Sequence, residues 1–320
     1  SPNGFDAAIH EADGEKYIDP YSNKNLDDYI VYDVKDDQPE LYKGVDMCGV
    51  TDEGRPSKGQ FMPNLRSAGE VEMRVYKVAM ACTGSWGAKR GTKVACLADM
   101  NTMLNRMNLM YEKDMAMRFV LIDDNDKLIF TDPATDRYDE PNKGFTILPQ
   151  NTSILNSIIS AASYDVGHVL ATCDDIGGVA QGGSACQNNK GAGVTCHNNE
   201  SLNNIVTRVM AHEVGHQFDA SHTWNICDAY ATQRAPGVAF EPGSGTTVMS
   251  YAGACGSDNV AGDNDDYFHV GSLVQMTAKT TQGGNAYACA DKVATGNHFP
   301  ELTIPQGGLF IPISTPFELK

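Results

Sequence analysis

The stretch AHEVGHQFDASHTW, residues 211–224, constrains this chain more than any other. It sets His212 and His216 four apart, Glu213 beside the first, and His222 six residues after the second. Residues four apart on a helix lie one turn apart on one face, so both imidazoles can reach a single ion. Upstream, Ile205, Val206, Val209, Met210 and Val214 form an apolar stripe that predicts one long helix running into the motif. Glu213 can reach a water on the open side of a metal held there, and a carboxylate so placed can take a proton that zinc has made easy to lose. This is the H-E-x-x-H arrangement of zinc-dependent hydrolysis.

Around that helix the pattern alternates. VEMRVYKVAMAC, from Val71, reads as a strand. The next segment, from Leu97, has Met103, Leu104, Met107, Met110 and Tyr111 at helical spacing, with Asp99 as the expected N-cap. RFVLIDD and KLIF read as strands around a turn, NTSILNSIISAASY as a second amphipathic helix that includes Ala162, and DVGHVLATC as a further strand before a Gly-rich loop. This order gives an α/β fold.

The 320 residues carry 41 acids against 24 bases, a formal charge of −17. That excess argues against nucleic acid or an anionic membrane as partner, because phosphate binding needs clustered Lys and Arg. No run of apolar residues reaches membrane-spanning length. The first residues have neither a basic nor an apolar leader region, so a signal peptide is expected to have been removed or never present. The acidic loops LIDDNDK and GDNDDYF leave Ca2+ binding open, although neither fits an EF-hand loop.

The full spacing H-E-x-x-H-x-x-x-x-x-H, followed by Met249 in TTVMSYAG, resembles the metzincin metallopeptidases, and most closely their secreted reprolysin-like (adamalysin-type) branch. The resemblance spans roughly residues 71–297. It implies a twisted, mostly parallel sheet, an upper subdomain to about residue 218 with the long active-site helix, and a smaller irregular C-terminal subdomain. It implies Zn2+ on His212, His216 and His222, with Glu213 as general base and Met249 packed beneath the metal without ligating it. In related metzincins a tyrosine two residues after that methionine can donate to the oxyanion, which makes Tyr251 the candidate here; plain aromatic packing is the alternative. GHVLAT resembles the edge strand that pairs with the substrate backbone. His168 within it is a remote candidate for the metal. Where the family usually has Gly, this chain has Asp219, either a tolerated substitute at a left-handed turn or a source of slack in the third ligand.

Nine cysteines, none in a C-x-x-C pair, sit in loops that suit the disulfides of a secreted protein, and an odd number leaves one over. Cys48, in Met-Cys-Gly-Val-Thr, resembles the cysteine-switch segment of adamalysin-type prosegments, in which a thiolate takes the fourth place on zinc. Residues 1–66 are therefore expected to be an inhibitory prosegment with linker, cut between Arg55 and Ser67. Residues 67–297 are then the catalytic domain, and 298–320 an extension or the start of a further domain. The other eight cysteines suffice for four bridges. Proximity suggests Cys82 with Cys96 and Cys227 with Cys255, though sequence does not fix connectivity. The expected protein is a monomeric, secreted zinc endopeptidase acting on proteins or peptides. The alternatives are a weak or inactive zinc-binding adhesion module and a pappalysin-like metzincin. Two sequons, at Asn151 and Asn199, are candidate glycosylation sites.

Overall fold

Strand β4 (Glu70–Cys82) organises the sheet. Its side chains alternate between two cores: Tyr76, Val78, Met80 and Cys82 enter one, Ala79 and Ala81 the other. Both faces are covered, as parallel sheets require. The computed structural model describes residues 4–5, 7–11, 14–22, 25–33, 48–51, 70–196 and 204–298. Strands β5 (Met117–Leu121) and β6 (Val166–Ala171) pair with β4 in parallel, and β9 (Asp291–His298) runs antiparallel beside its start. Beyond β6 come β8 (Gly193–Cys196), parallel, and then β7 (Gly178–Ala180), antiparallel, at the edge. The fold is thus α/β with a mostly parallel sheet.

Helix α1 (Gly84–Arg90) follows β4, and α2 (Lys93–Met115) and α3 (Gly144–Ile158) cross over from β4 to β5 and from β5 to β6. The expected stripe of α2, Met103, Leu104, Met107, Met110 and Tyr111, is buried against Phe119 and the helix α4 (Asn204–Gln217). The Tyr111 hydroxyl donates to the Ala211 carbonyl at 2.8 Å. Helices α5 (Val270–Thr280) and α6 (Asn285–Cys289) pack together near the C-terminal end.

Several sequence expectations are corrected. Helix α2 starts earlier: Thr92 is its cap, with its Oγ1 accepting from Ala95 N at 3.1 Å, and Asp99 lies inside the helix paired with Arg90. KLIF is not a strand. Asn125 uses both ends of its amide on the Met80 backbone, at 2.8 and 2.9 Å, satisfying the polar groups that a strand would have met. Helix α3 begins at Gly144 and ends at Ile158, so Ala162 falls in a separate 3-10 turn. GHVLAT is not the edge: β6 is buried at every residue in mid-sheet, and the Gly-rich segment supplies the edge strand β7 instead.

All nine cysteines lie among the described residues. Three bridges form, Cys173–Cys196, Cys186–Cys289 and Cys227–Cys255, the last as expected. The expected Cys82–Cys96 bridge is not formed; these are two adjoining buried thiols. Asn151 is fully buried and bonded to Tyr138 and Gly191, so its sequon is no free acceptor. Asn199, the Arg55–Ser67 stretch and the tail after His298 lie outside the described residues.

Strands β1 (Ala7–Glu11), β2 (Gly14–Ser22) and β3 (Asn25–Asp33) pair in sequence order as an antiparallel sheet. It rests on α2 through Arg106, whose Nη2 donates to both oxygens of Asp19 at 2.6 and 2.8 Å while the guanidinium covers the Tyr17 ring. The Tyr32 hydroxyl donates to the same carboxylate.

His168 takes no part in a metal cluster. Buried in β6, it bonds Gln217 Oε1 through Nδ1 at 3.1 Å and Thr195 Oγ1 through Nε2 at 2.8 Å. Burial pushes its pKa down to about 4, with Gln217 opposing. The unfolded histidine gains its proton as the pH falls through about 6.5, whereas the folded one resists until about 4. Its contribution is complete above the higher value and is lost progressively across that window, by roughly 3 kcal/mol in all. Urea titrations should therefore show a shallower loss of stability between these limits for His168→Gln than for the wild type. Equal slopes would remove His168 as the cause.

Candidate active site

Helix α4 delivers His212, Glu213 and His216 on successive turns, all buried. It ends in a left-handed cap. Ala220 N donates to Gly215 O at 2.9 Å and Asp219 N to His216 O at 2.8 Å, the paired bonds of a Schellman turn with Asp219 at its left-handed position, φ 75°. This turn reverses the chain and carries His222 back to the helix. It also presents the Ala220 carbonyl to His216 Nδ1 at 2.7 Å.

The other two rings are oriented the same way. His212 Nδ1 bonds the Val248 carbonyl and His222 Nδ1 the Gln233 carbonyl, each at 2.8 Å. A carbonyl only accepts, so each Nδ1 carries the proton and each Nε2 of a neutral ring is bare. The bare nitrogens converge: His216 Nε2 is 3.1 Å from both His212 Nε2 and His222 Nε2. Cys48 Sγ stands 3.6 Å from His216 Nε2, and the four ligand atoms all lie within 4.8 Å of one another. Four lone-pair donors facing one point repel unless a cation lies among them, and three imidazoles with one thiolate suit tetrahedral zinc. The residues fit that ion.

Glu213 lies against β7, where a Cβ on Gly178 would come 2.6 Å from its Oε1. Both its carboxylate oxygens are buried with no N–H or O–H donor among the described residues; the group beside them is the Cys48 thiol. Burial holds its pKa well above the usual carboxylate range, the nearby Cys48 thiol opposing. The same burial, reinforced by Glu213, pushes the Cys48 thiol up. Met249 sits beneath the helix turn between the two ligands, and a Cβ on Gly215 would meet its Sδ at 2.5 Å. The buried Tyr251 puts its hydroxyl 3.1 Å from His222 Nε2 and donates to Gln233 Oε1. The structure thus brings together every expected site residue: Cys48, His212, Glu213, His216, His222, Met249 and Tyr251.

Two residues escape sequence reasoning. Gln233 orients His222 by its carbonyl and meets Tyr251 and Cys48 by its side chain. Buried Glu241 accepts from Thr246 N at 2.9 Å, from Thr247 N at 3.0 Å, and from the hydroxyls of Thr223 and Thr247. It ties the strand leaving His222 to the loop leading to Met249. Neither belongs to a motif; an isolated Gln and an isolated Glu carry no spacing to read.

Asp219 takes the left-handed turn position, φ 75°, ahead of His222. Its carboxylate pairs with Lys279 Nζ at 3.2 Å. A left-handed non-glycine residue costs about 1–2 kcal/mol, and a part-exposed ion pair returns roughly 0–1 kcal/mol. Asp219→Gly should therefore leave the stability within about 1 kcal/mol of wild type, while Asp219→Ala, which keeps the strain and loses the pair, should be the less stable of the two by about 1 kcal/mol or more. Thermal melts of both variants, zinc-loaded, check this ordering.

The sequence profile of the family described as Metallo-peptidase family M12B Reprolysin-like matches residues 72–279, well over half of the chain. Among solved structures, "Mirolysin in complex with compound 9" is 15% identical, with 67% of this chain and 96% of that chain covered at a TM-score of 0.42. "Structure of a chaperone-substrate complex" is 10% identical, covering 86% of this chain and 41% of that one at a TM-score of 0.36. No curated protein matches. On the profile match, and with the histidine cluster where that family's chemistry requires it, this chain belongs to the M12B reprolysin-like metallopeptidases and is a zinc metalloendopeptidase.

Proposed function

We propose that the chain is a secreted endopeptidase held latent by its own N-terminal segment, with Cys48 as the fourth ligand beside His212, His216 and His222. The observation that carries this reading is the Cys48 sulfur among the three bare imidazole nitrogens, 3.6 Å from one of them. A thiolate there takes the place that an attacking water needs. Two further contacts support the reading: Gly49 N donates to Gly178 O on β7 at 2.8 Å, and Gln233 Nε2 donates to the Cys48 carbonyl at 2.9 Å. The Arg106–Asp19 pair supplies a second anchor, on the α2 face. Three disulfides support an oxidising, extracellular setting.

Zinc in this site supplies Lewis acidity and lowers the pKa of water. The remaining work falls to the chain. Glu213, desolvated and released from the Cys48 thiol once the N-terminal segment leaves, takes the proton from the attacking water and passes it to the departing amine. Tyr251, whose hydroxyl proton rests on Gln233 Oε1 while the cleft is blocked, turns that proton to the oxygen that gains charge as the peptide bond is attacked. Met249 and the three orienting carbonyls hold the ligands in place. Substrates are proteins or peptides, and cleavage of the linker between Arg55 and Ser67 is the activating event.

Glu213→Gln should bind zinc normally after linker cleavage and lose about a hundred- to ten-thousand-fold in kcat/KM on a casein or peptide substrate. Activity near wild type would exclude Glu213 as the base; an inactive wild type holding zinc would favour the adhesion-module alternative. Titration of free thiols in the uncut chain should find one more after chelation, and the uncut Cys48→Ser protein should digest casein without prior cleavage. If chelation releases no thiol, the latency reading falls.

A further inference from the structure

Gln233 occupies a position that the chemistry of the metal site does not explain. Its side-chain amide is buried and used at both ends. The Cys48 carbonyl can only accept, so the end facing it, at 2.9 Å, is the NH2 group. The other end, Oε1, then takes the proton of the Tyr251 hydroxyl. The orientation of the amide is thus fixed from both sides.

The residue itself is pinned. Its carbonyl accepts from His222 Nδ1 at 2.8 Å. The next residue, Arg234, donates to the backbone and side-chain oxygens of Asn225. The Cys227–Cys255 bridge closes the base of the same loop. A donor held this firmly is preorganised for a partner that comes and goes.

The segment from Cys48 to Val50 lies between two walls. On one side the β7 carbonyl of Gly178 accepts from Gly49 N; on the other, Gln233 donates to Cys48 O. Neither bond involves a side chain of the N-terminal segment. Any extended peptide backbone in that channel meets one acceptor on the sheet edge and one donor on the opposite loop. When the N-terminal segment departs, the buried NH2 of Gln233 loses its acceptor, and a substrate carbonyl restores it.

We propose that Gln233 is a substrate-binding residue: its Nε2 clamps a backbone carbonyl of the bound polypeptide, while its Oε1 keeps the Tyr251 hydroxyl at the metal site. The ligand class is extended polypeptide of any sequence, because the contact is to the main chain. This rests on the reading of the chain as an endopeptidase whose N-terminal segment lies in the substrate cleft. It adds that one amide couples occupancy of the cleft to the placement of Tyr251.

Gln233→Glu keeps the size and the acceptor for Tyr251 but turns the donor into an oxygen facing an oxygen. In the linker-cleaved, zinc-loaded enzyme, KM for a peptide substrate should rise at least tenfold, with kcat changed less than threefold. The zinc content and the visible spectrum of the Co2+-substituted protein should be unchanged. An unaltered KM in a folded, zinc-bearing variant would overturn the assignment. A second measurement needs no variant. A synthetic peptide of sequence DMCGVT, residues 46–51, should bind the cleaved wild-type protein about tenfold more tightly than the same peptide with a thioamide in place of the Cys48 carbonyl, since sulfur accepts poorly. Equal affinities would overturn the clamp. That comparison requires no turnover, so a cleaved wild type that hydrolyses nothing would sink the endopeptidase reading while leaving the clamp to be judged on the two peptides.

Discussion

The site depends on three hydrogen bonds of one kind. Each imidazole gives its Nδ1 proton to a backbone carbonyl, and the three carbonyls, of Ala220, Gln233 and Val248, come from three different segments. Loops placed to make those bonds bring three bare nitrogens to one point, which is unfavourable for the apoprotein and favourable for a cation. The irregular stretch that follows α4 supplies all three of these acceptors. Glu241 gathers four donors from Thr223, Thr246 and Thr247 and so joins the stretch after His222 to the stretch before Met249. The Cys227–Cys255 bridge restrains the loop that carries Gln233. None of these groups touches the ion position, yet without them the rings would have no fixed tautomer or direction.

The N-terminal segment is held by contacts of two different characters. At α2, Asp19 and Arg106 form a forked ion pair, the arginine side chain 5% exposed and the aspartate 20%, with aromatic rings beside it. At the cleft the contacts are a thiol and two backbone hydrogen bonds, with no charge pairing. The first fixes a folded sheet to a helix face by charge and ring geometry. The second copies what any peptide would do in the same channel and adds a sulfur that a substrate lacks. On the proposed reading the two are complementary: the anchor at α2 keeps the local concentration of Cys48 high, and the sulfur supplies the block.

Much of this was legible in the sequence, and the reasons for the rest are physical. His212, Glu213, His216 and His222 could be read because helical periodicity and the following turn fix where they point. Met249 and Tyr251 could be read only through resemblance, since one methionine and one tyrosine have no period of their own. Cys48 stood out by its neighbours Met47, Gly49 and Val50, whereas the parity argument failed: three bridges form instead of four, and three cysteines are left outside them instead of one. The edge strand was misplaced because GHVLAT was matched to it by resemblance; the structure buries all of Val166–Ala171 and gives the edge to Gly178–Ala180. Asp99 looked like a cap because it precedes the apolar stripe, but Thr92 follows the left-handed Gly91 and starts the helix sooner. Cys82 and Cys96 are neighbours in space as in sequence, two buried thiols in contact, but they are not joined. Gln233 and Glu241 were invisible because their importance comes from backbone groups that converge only after folding.

Glu213 shows what this arrangement costs. A buried carboxyl group whose oxygens meet a thiol but no N–H or O–H donor is a place where folding sacrifices stability. The local packing enforces that cost: the Cβ that Gly178 lacks would collide with the carboxylate, and no donor of the edge strand bonds its oxygens. The neighbouring buried histidine, His168, is treated in the opposite way, with both ring nitrogens bonded to Gln217 and Thr195. Two buried ionisable groups on adjoining elements thus have opposite environments. The satisfied one serves the core. The other lies beside Cys48 at the histidine cluster, and on the proposed reading a water with a proton to give replaces that thiol; the contrast between the two groups supports Glu213 as the proposed base.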